Sequence, residues 1–287
     1  MRNFVLKNAV IMSLLSFIRK GNNKLSNRLG VLVVSLFVML FVSNIICGYF
    51  DMWLGENGYR ATAVNTVFQI LLGMIVPAYL TAAYSTDTPF RLLHLNCPLR
   101  LRHISGIVIV FVLGWFAYNW LISLNESLCL HAQGETVNAL LSNYSISGLI
   151  LNILIIGCLT GFGEELFFRG CLQSILFDKI KRGWVAILLT AIVFTLMHFD
   201  MSGIAPLLVQ GIFYGYLVYS TGSIWSAVIA HALNNSITVV KIWADHLYSD
   251  SHVVSFLDSE NLILIISSFV TLLLFFVLYR NRFFTRN

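Results

Sequence analysis

An all-α bundle of about eight membrane-spanning helices, enclosing a polar cavity, is the fold class this sequence predicts. Three observations carry that expectation. Of the 287 residues, 58% are hydrophobic and only 11% charged, where soluble domains carry about 25% charged residues. Apolar runs near the length of about 20 residues that a spanning helix needs recur along the chain. Lysine and arginine fall in alternate loops, as the positive-inside rule requires of a multi-pass protein.

The runs lie at roughly 31–50, 62–84, 104–124, 146–168, 184–199, 204–221, 224–243 and 261–279. An apolar patch at 9–18, flanked by Lys7, Arg19 and Lys20, is too short to span and reads as an interfacial helix. A cleaved signal peptide would need a small-residue cleavage site, and the residues after Arg19 and Lys20 are polar. The expected organisation is a basic arm over 1–30, a bundle over 31–279 whose core sits at about 146–243, and a basic tail at 280–287.

Basic residues cluster in the arm (Arg2, Lys7, Arg19, Lys20, Lys24, Arg28), near 85–103 (Arg91, Arg100, Arg102), at 179–183 (Lys179, Lys181, Arg182) and in the tail (Arg280, Arg282, Arg286). The intervening loops carry only Arg60, or acids such as Asp245, Asp250, Asp258 and Glu260. Eight spans with both termini cytoplasmic, in a plasma membrane, satisfy this pattern. The asymmetry and contact with anionic lipid account for the net charge of +5, so the lipid bilayer is the partner implied and no nucleic acid is. Five scattered cysteines without a CxxC pair argue against a disulfide framework or a thiolate metal cluster.

Ionisable residues inside apolar runs are costly and point to function. They are few: Glu164, Glu165 and Arg169 in the fourth run, His198 at the end of the fifth, and His231 with Asn234 and Asn235 in the seventh. Glu165 and Arg169, four apart, share a helix face and can neutralise each other. Glu164 lies about 100° round from Glu165 and is less fully compensated. His231 and Asn235 share a face, as do Phe194 and His198. Gly157, Gly161 and Gly163, and Gly211 with Gly215, have the spacing that lets helices pack closely.

For these groups to meet, the fourth helix must run past the membrane surface and turn at Lys181, Arg182 and Gly183. Glu164 is then about 18 residues before the turn and His198 about 16 after it, or roughly 27 and 24 Å at 1.5 Å per residue. A carboxylate out of water is a competent general base, histidine can share its proton, and a second histidine with an asparagine amide can donate to an oxyanion. That set suits amide hydrolysis. Equally, Glu164, His198 and His231 could hold zinc with a water in the open position. Spacing leaves both open.

The run EELFFR, followed by FTLMH and then HALNN, resembles the three motifs of the CPBP family, the CAAX-protease and bacteriocin-processing intramembrane proteases, also called Abi. The resemblance spans about residues 155–240. It implies that Glu164 activates water with His198, that His231 and Asn235 stabilise the oxyanion, and that Glu165, Arg169 and Phe194 support them. It also implies a membrane-associated protein or peptide as substrate, with the reaction either glutamate-dependent and metal-free or zinc-dependent. Read singly, His198 is an interfacial histidine, His231 a helix–helix hydrogen bond, and Glu165 with Arg169 a structural ion pair. A proton- or ion-coupled transporter, or a non-catalytic membrane partner, would use the same groups as a relay; a bacteriocin self-immunity protein could use the same protease site. Neither HExxH nor GxSxG occurs.

Overall fold

The computed structural model describes residues 24–54, 58–128, 141–198 and 203–247, together with seven helical residues between 262 and 273. The expected interfacial helix at 9–18 and the basic tail lie outside them. Every regular element among the described residues is helical. They are α1 (Leu25–Leu54), α2 (Tyr59–Ser85), the single turn α3 (Pro89–Leu92), α4 (Leu101–Leu128), α5 (Ile146–Ile180), α6 (Gly183–Met197), α7 (Ile204–Thr221) and α8 (Ile224–Leu247).

Among the described residues, α1, α2, α5 and α7 are long and apolar enough to cross a membrane, and α4 adds a fifth as a pair of segments bent by 44°. The chain is a multi-pass membrane protein. The expected span at 261–279 lies mostly outside the described residues, and of the other seven those at 184–199 and 224–243 do not pass on length and composition. At 15 residues α6 is short, and the polar residues that make α8 interesting interrupt its apolar run.

Differences from the expected boundaries concentrate at two places. Helix α1 begins at Leu25 and so takes in Arg28, whose guanidinium donates to Asp178 Oδ2 at 2.8 Å near the far end of α5. Helix α5 continues twelve residues past the expected 168, to Ile180. It stops because Lys181 adopts the left-handed conformation, φ 58°, with its N–H on the Phe177 carbonyl. Its start is fixed by Ser145, whose Oγ accepts the Gly148 N–H at 3.0 Å as an N-cap. The extended helix and its turn are what the depth argument required.

Helix α5 is wound unevenly. Two wide π-helical stretches, Ile153–Thr160 and Leu166–Gln173, flank a short α-helical piece, Gly161–Glu165. Hydroxyls mark both wide stretches: Thr160 Oγ1 donates to the Ile155 carbonyl and Ser174 Oγ to the Arg169 carbonyl, each five residues back. Another π-helical turn, Leu71–Ile75, interrupts α2, and Gly163 of α5 lies against Ile70, Met74 and Ile75 there. Such windings recur at functional sites because they re-aim side chains.

Small residues bring the core helices together. A Cβ on Gly161 would stand 3.2 Å from the backbone nitrogen of Ala232 in α8, and one on Gly211 of α7 only 2.8 Å from the Ala191 Cβ in α6. Around these contacts, Phe168, Phe194, Ile187, Tyr214, Leu217 and Ile224 are among the largest fully buried side chains.

Candidate active site

The α-helical piece between the two wide windings presents Glu164 and Glu165 in different directions. Glu165 is fully buried, and its Oε1 accepts from Arg169 Nη1 at 2.7 Å and from His231 Nδ1 at 2.7 Å. Arg169, fully buried too, also donates to the Gly211 carbonyl of α7 at 3.1 Å. Its guanidinium carbon lies 4.4, 5.4 and 5.8 Å from the ring centres of Phe194, Tyr214 and Phe168, so aromatic faces supply cation–π contacts where water is absent. One helical turn on, Gln173 Nε2 donates to the Gly215 carbonyl at 3.0 Å. Arg169 and Gln173 thus lock α5 to α7 at two successive rungs.

Glu164 has no such partner. Its side chain is 13% exposed, and Oε2 is buried without a hydrogen bond. Two imidazole nitrogens face that oxygen: His198 Nε2 at 3.9 Å and His231 Nε2 at 3.8 Å. Both distances are too long for a hydrogen bond.

The other nitrogen of each ring fixes its tautomer. His198 Nδ1 lies 2.8 Å from the Phe194 carbonyl and His231 Nδ1 lies 2.7 Å from Glu165 Oε1. Carbonyls and carboxylates accept, so both Nδ1 atoms donate, and each neutral ring presents an Nε2 lone pair toward Glu164. Phe194 packs on both rings, at 4.5 Å from His198 and 6.2 Å from His231. Tyr214 stacks on His231 at 4.9 Å with planes 20° apart.

The fold therefore brings Glu164, His198 and His231 around one point, with Glu165, Arg169 and Phe194 behind them. Asn235 is oriented differently, since its Nδ2 donates to the Ile156 carbonyl of α5 at 3.1 Å; one amide hydrogen remains. Among the described residues no group of three or more His, Cys, Asp or Glu side chains is set to hold a metal ion. Glu164 Oε2 stands 3.8 and 3.9 Å from the two Nε2 atoms, wider than the roughly 3.4 Å between neighbouring ligands of a tetrahedral zinc, so the three would have to draw in by about half an ångström to bind one.

Sequence reasoning paired Glu165 with Arg169 and missed its second partner, His231. It also missed Tyr214, which carries no spacing signal, and Gln173, whose position four residues after Arg169 is one that could have been used.

This fold and cluster define a polytopic α-helical membrane protein with an ionisable centre buried in its bundle. Residues 146–237, which carry all three motifs, match the model of the Rce1-like family, described as type II CAAX prenyl endopeptidase Rce1-like. That is the family the motifs resemble, and the match, over about a third of the chain, supports an intramembrane CAAX-type endopeptidase at the level of the family. No curated protein and no solved structure matches the chain.

Proposed function

We propose that the protein is an intramembrane endopeptidase in which Glu164 and His198 activate water for attack on a peptide bond of a membrane-associated protein or peptide. The observation that carries this reading is Glu164 Oε2, buried and unpaired, with two histidine Nε2 atoms 3.8 and 3.9 Å away. A water at that point can donate one hydrogen to the Glu164 carboxylate and the other to His198 Nε2.

In the attack, the water oxygen bonds to the scissile carbonyl carbon while Glu164 takes its proton. Collapse of the tetrahedral adduct breaks the C–N bond, and the proton passes to the leaving amine. His231 and the remaining Asn235 N–H serve the oxyanion. For His231 this means acting with both ring nitrogens protonated, the Glu165 carboxylate holding the Nδ1 proton and Nε2–H facing the developing charge. Glu165, Arg169 and Phe194 are positioning residues. The Lys/Arg distribution supports both termini being cytoplasmic, and the membrane we propose is the plasma membrane.

The test is cleavage of a quenched peptide library by the purified, detergent-solubilised protein, comparing wild type with Glu164→Gln, each with and without a chelator. Wild type is expected to cleave with or without chelator, and Glu164→Gln to lose at least about a hundredfold, the scale of general-base catalysis. Wild-type cleavage by Glu164→Gln would remove Glu164 from the chemistry. Loss on chelation restored by zinc would make the reaction metal-dependent.

A further inference from the structure

Glu165 Oε1 has two donors, Arg169 Nη1 and His231 Nδ1, and one ring from a third helix lies against both. Tyr214 of α7 is 1% exposed. Its ring is nearly parallel to the His231 imidazole, 4.9 Å between centres and 20° between planes, and its centre is 5.4 Å from the Arg169 guanidinium carbon. Three positions earlier on the same helix, the Gly211 carbonyl accepts from Arg169 Nη2 at 3.1 Å. Helix α7 thus braces Arg169 by a hydrogen bond and a ring face, and His231 by the ring face.

The contacts on His231 restrain it in different ways. The bond from Nδ1 to Glu165 Oε1, at 2.7 Å, fixes one atom of the ring. Hydrogen bonds stay strong over donor angles from 180° down to about 150°, and the torsion that turns an imidazole about its Cβ–Cγ bond is broad. Hydrogen bonding by itself therefore leaves the plane of the ring some play. A parallel aromatic face removes that play, because turning the imidazole drives one of its edges toward the tyrosine. Phe194 gives no such flat support, since its plane is inclined at 78° to the imidazole, with centres 6.2 Å apart.

The side of Tyr214 away from this contact meets hydrocarbon. Tyr214 is also a wall of an apolar cavity of about 420 Å³ between α4, α7 and α8. Trp120, Val209 and Phe269 line the same cavity and are partly exposed on the surface that faces lipid. Shortening the Tyr214 side chain would therefore leave a space next to His231 that small apolar molecules can reach.

We propose that Tyr214 is a positioning residue for peptide-bond hydrolysis, its ring face holding the His231 imidazole in the plane that turns Nε2 toward Glu164, 3.8 Å away. The proposal rests on the endopeptidase reading and deepens it, adding to the centre a residue that lies outside EELFFR, FTLMH and HALNN.

The test compares the full chain in nanodiscs as wild type, Tyr214→Phe, Tyr214→Leu and Tyr214→Ala, with a peptide that wild type cleaves. Tyr214→Phe keeps the ring and is expected to hold kcat within about twofold of wild type. Tyr214→Leu and Tyr214→Ala are expected to lose about tenfold in kcat at unchanged KM, the scale of one aromatic pair. Toluene, entering the space left in Tyr214→Ala as small aromatics enter truncated cores, is expected to restore kcat. Methylcyclohexane, of similar bulk without a π face, is expected to raise only the melting temperature. Wild-type kcat in Tyr214→Leu, or equal rescue by both molecules, would reduce Tyr214 to packing and overturn the assignment. If Tyr214→Ala does not fold, the comparison of Tyr214→Phe with Tyr214→Leu decides.

A second readout needs no turnover. In protein labelled with carbon-13 at histidine Cε1, the His231 signal is identified by its loss in His231→Gln. Tyr214→Phe is expected to keep the shift that the stacked ring imposes on it, and Tyr214→Leu to lose that shift. An unmoved signal in Tyr214→Leu overturns the assignment whether or not the protein cleaves. Absence of wild-type cleavage with the signal moved defeats the endopeptidase reading and keeps the ring contact, whereas wild-type cleavage undiminished in Tyr214→Leu does the reverse.

Discussion

Glu164 and Glu165 are neighbours in sequence with opposite physical situations. Glu165 is neutralised by Arg169 and bonded to His231, so its removal leaves a guanidinium buried among aromatic rings without its counter-ion. Breaking a buried pair in this way costs about 3–5 kcal/mol. Glu165→Ala is therefore expected to lower the melting temperature of the detergent-solubilised protein sharply, while Glu164→Gln, which exchanges an unpaired carboxylate for an amide, leaves it near wild type. The double variant Glu165→Gln with Arg169→Met is expected to regain stability, because no charge remains unmatched, yet to stay inactive, because the amide can still accept the His231 Nδ1–H but no longer supplies the negative charge that stabilises the doubly protonated ring. Equal melting temperatures for Glu165→Ala and wild type would show that the ion pair does not hold the bundle together. The four-residue spacing made the Glu165–Arg169 pair legible in the sequence. The His231 contact was not, because it depends on how closely α5 and α8 approach.

That approach is a property of elements. Gly161 meets Ala232 backbone, which cannot rotate away as a side chain can, so Gly161→Ala must push α8 outward or bend α5. Overpacking of this kind costs about 1–3 kcal/mol, and here it moves His231 away from Glu165. The expected outcome is a modest fall in melting temperature with a disproportionate loss of kcat, read by comparing thermal scans with steady-state cleavage. An unaltered kcat would mean that the helix spacing is looser than the contact implies. The turn after α5 was legible, since Lys181, Arg182 and Gly183 interrupt an apolar pattern. The π-helical windings were not, because an extra residue in a turn leaves no mark in a sequence already apolar all round. A second device at this scale is the link between α3 and α4. His94, at φ 57°, donates from Nδ1 to the Gly222 carbonyl at 3.2 Å, and its own carbonyl accepts the Ile224 N–H. Burial lowers the His94 pKa below its ordinary 6.5, partly opposed by the Gly222 bond. The neutral ring is thus the folded form. Its contribution is complete above about pH 6.5 and is lost as pH falls toward the folded pKa, because the unfolded chain binds the proton first. His94→Asn tolerates the left-handed backbone and removes the titration. The fall in melting temperature between pH 6.5 and 5 is expected to be shallower in that variant, and identical slopes would exclude His94 as a contributor.

At the scale of the whole molecule, the apolar runs of the sequence already placed α6 and α8 as spans, although α6 is short and α8 falls below the mean hydropathy of the other spans. Helix α8 carries His231, Asn234 and Asn235, and the residues that form the centre dilute the apolar signal of the helix that holds them. Charge supplies an independent constraint, because the loops rich in lysine and arginine must share one face of the membrane whatever the span count. The ion pair between Arg28 and Asp178 agrees with this, joining the foot of α1 to the far end of α5. Arg60, at the start of α2, belongs to the opposite face if α1 crosses the bilayer once. In a cysteine-free background, Lys181→Cys and Arg60→Cys give exposed single thiols at the two ends of the bundle. A membrane-impermeant maleimide is expected to label position 181 only in inside-out vesicles and position 60 only in right-side-out vesicles. Labelling of both from one side would mean that α1 does not span, and the reversed pattern would put Lys181, Arg182 and Arg28 on the outer face. The expected pattern also bears on the depth at which the bond is cut. The His198 side chain is 30% exposed, and α6 is the helix that comes after the turn at Lys181. With that turn cytoplasmic, the end of α6 bearing His198 is separated from the cytoplasmic tip by the 15 residues of α6, about 22 Å at 1.5 Å per residue. If the turn projects beyond the surface, as the depth argument requires, the cut falls inside the bilayer on its cytoplasmic side.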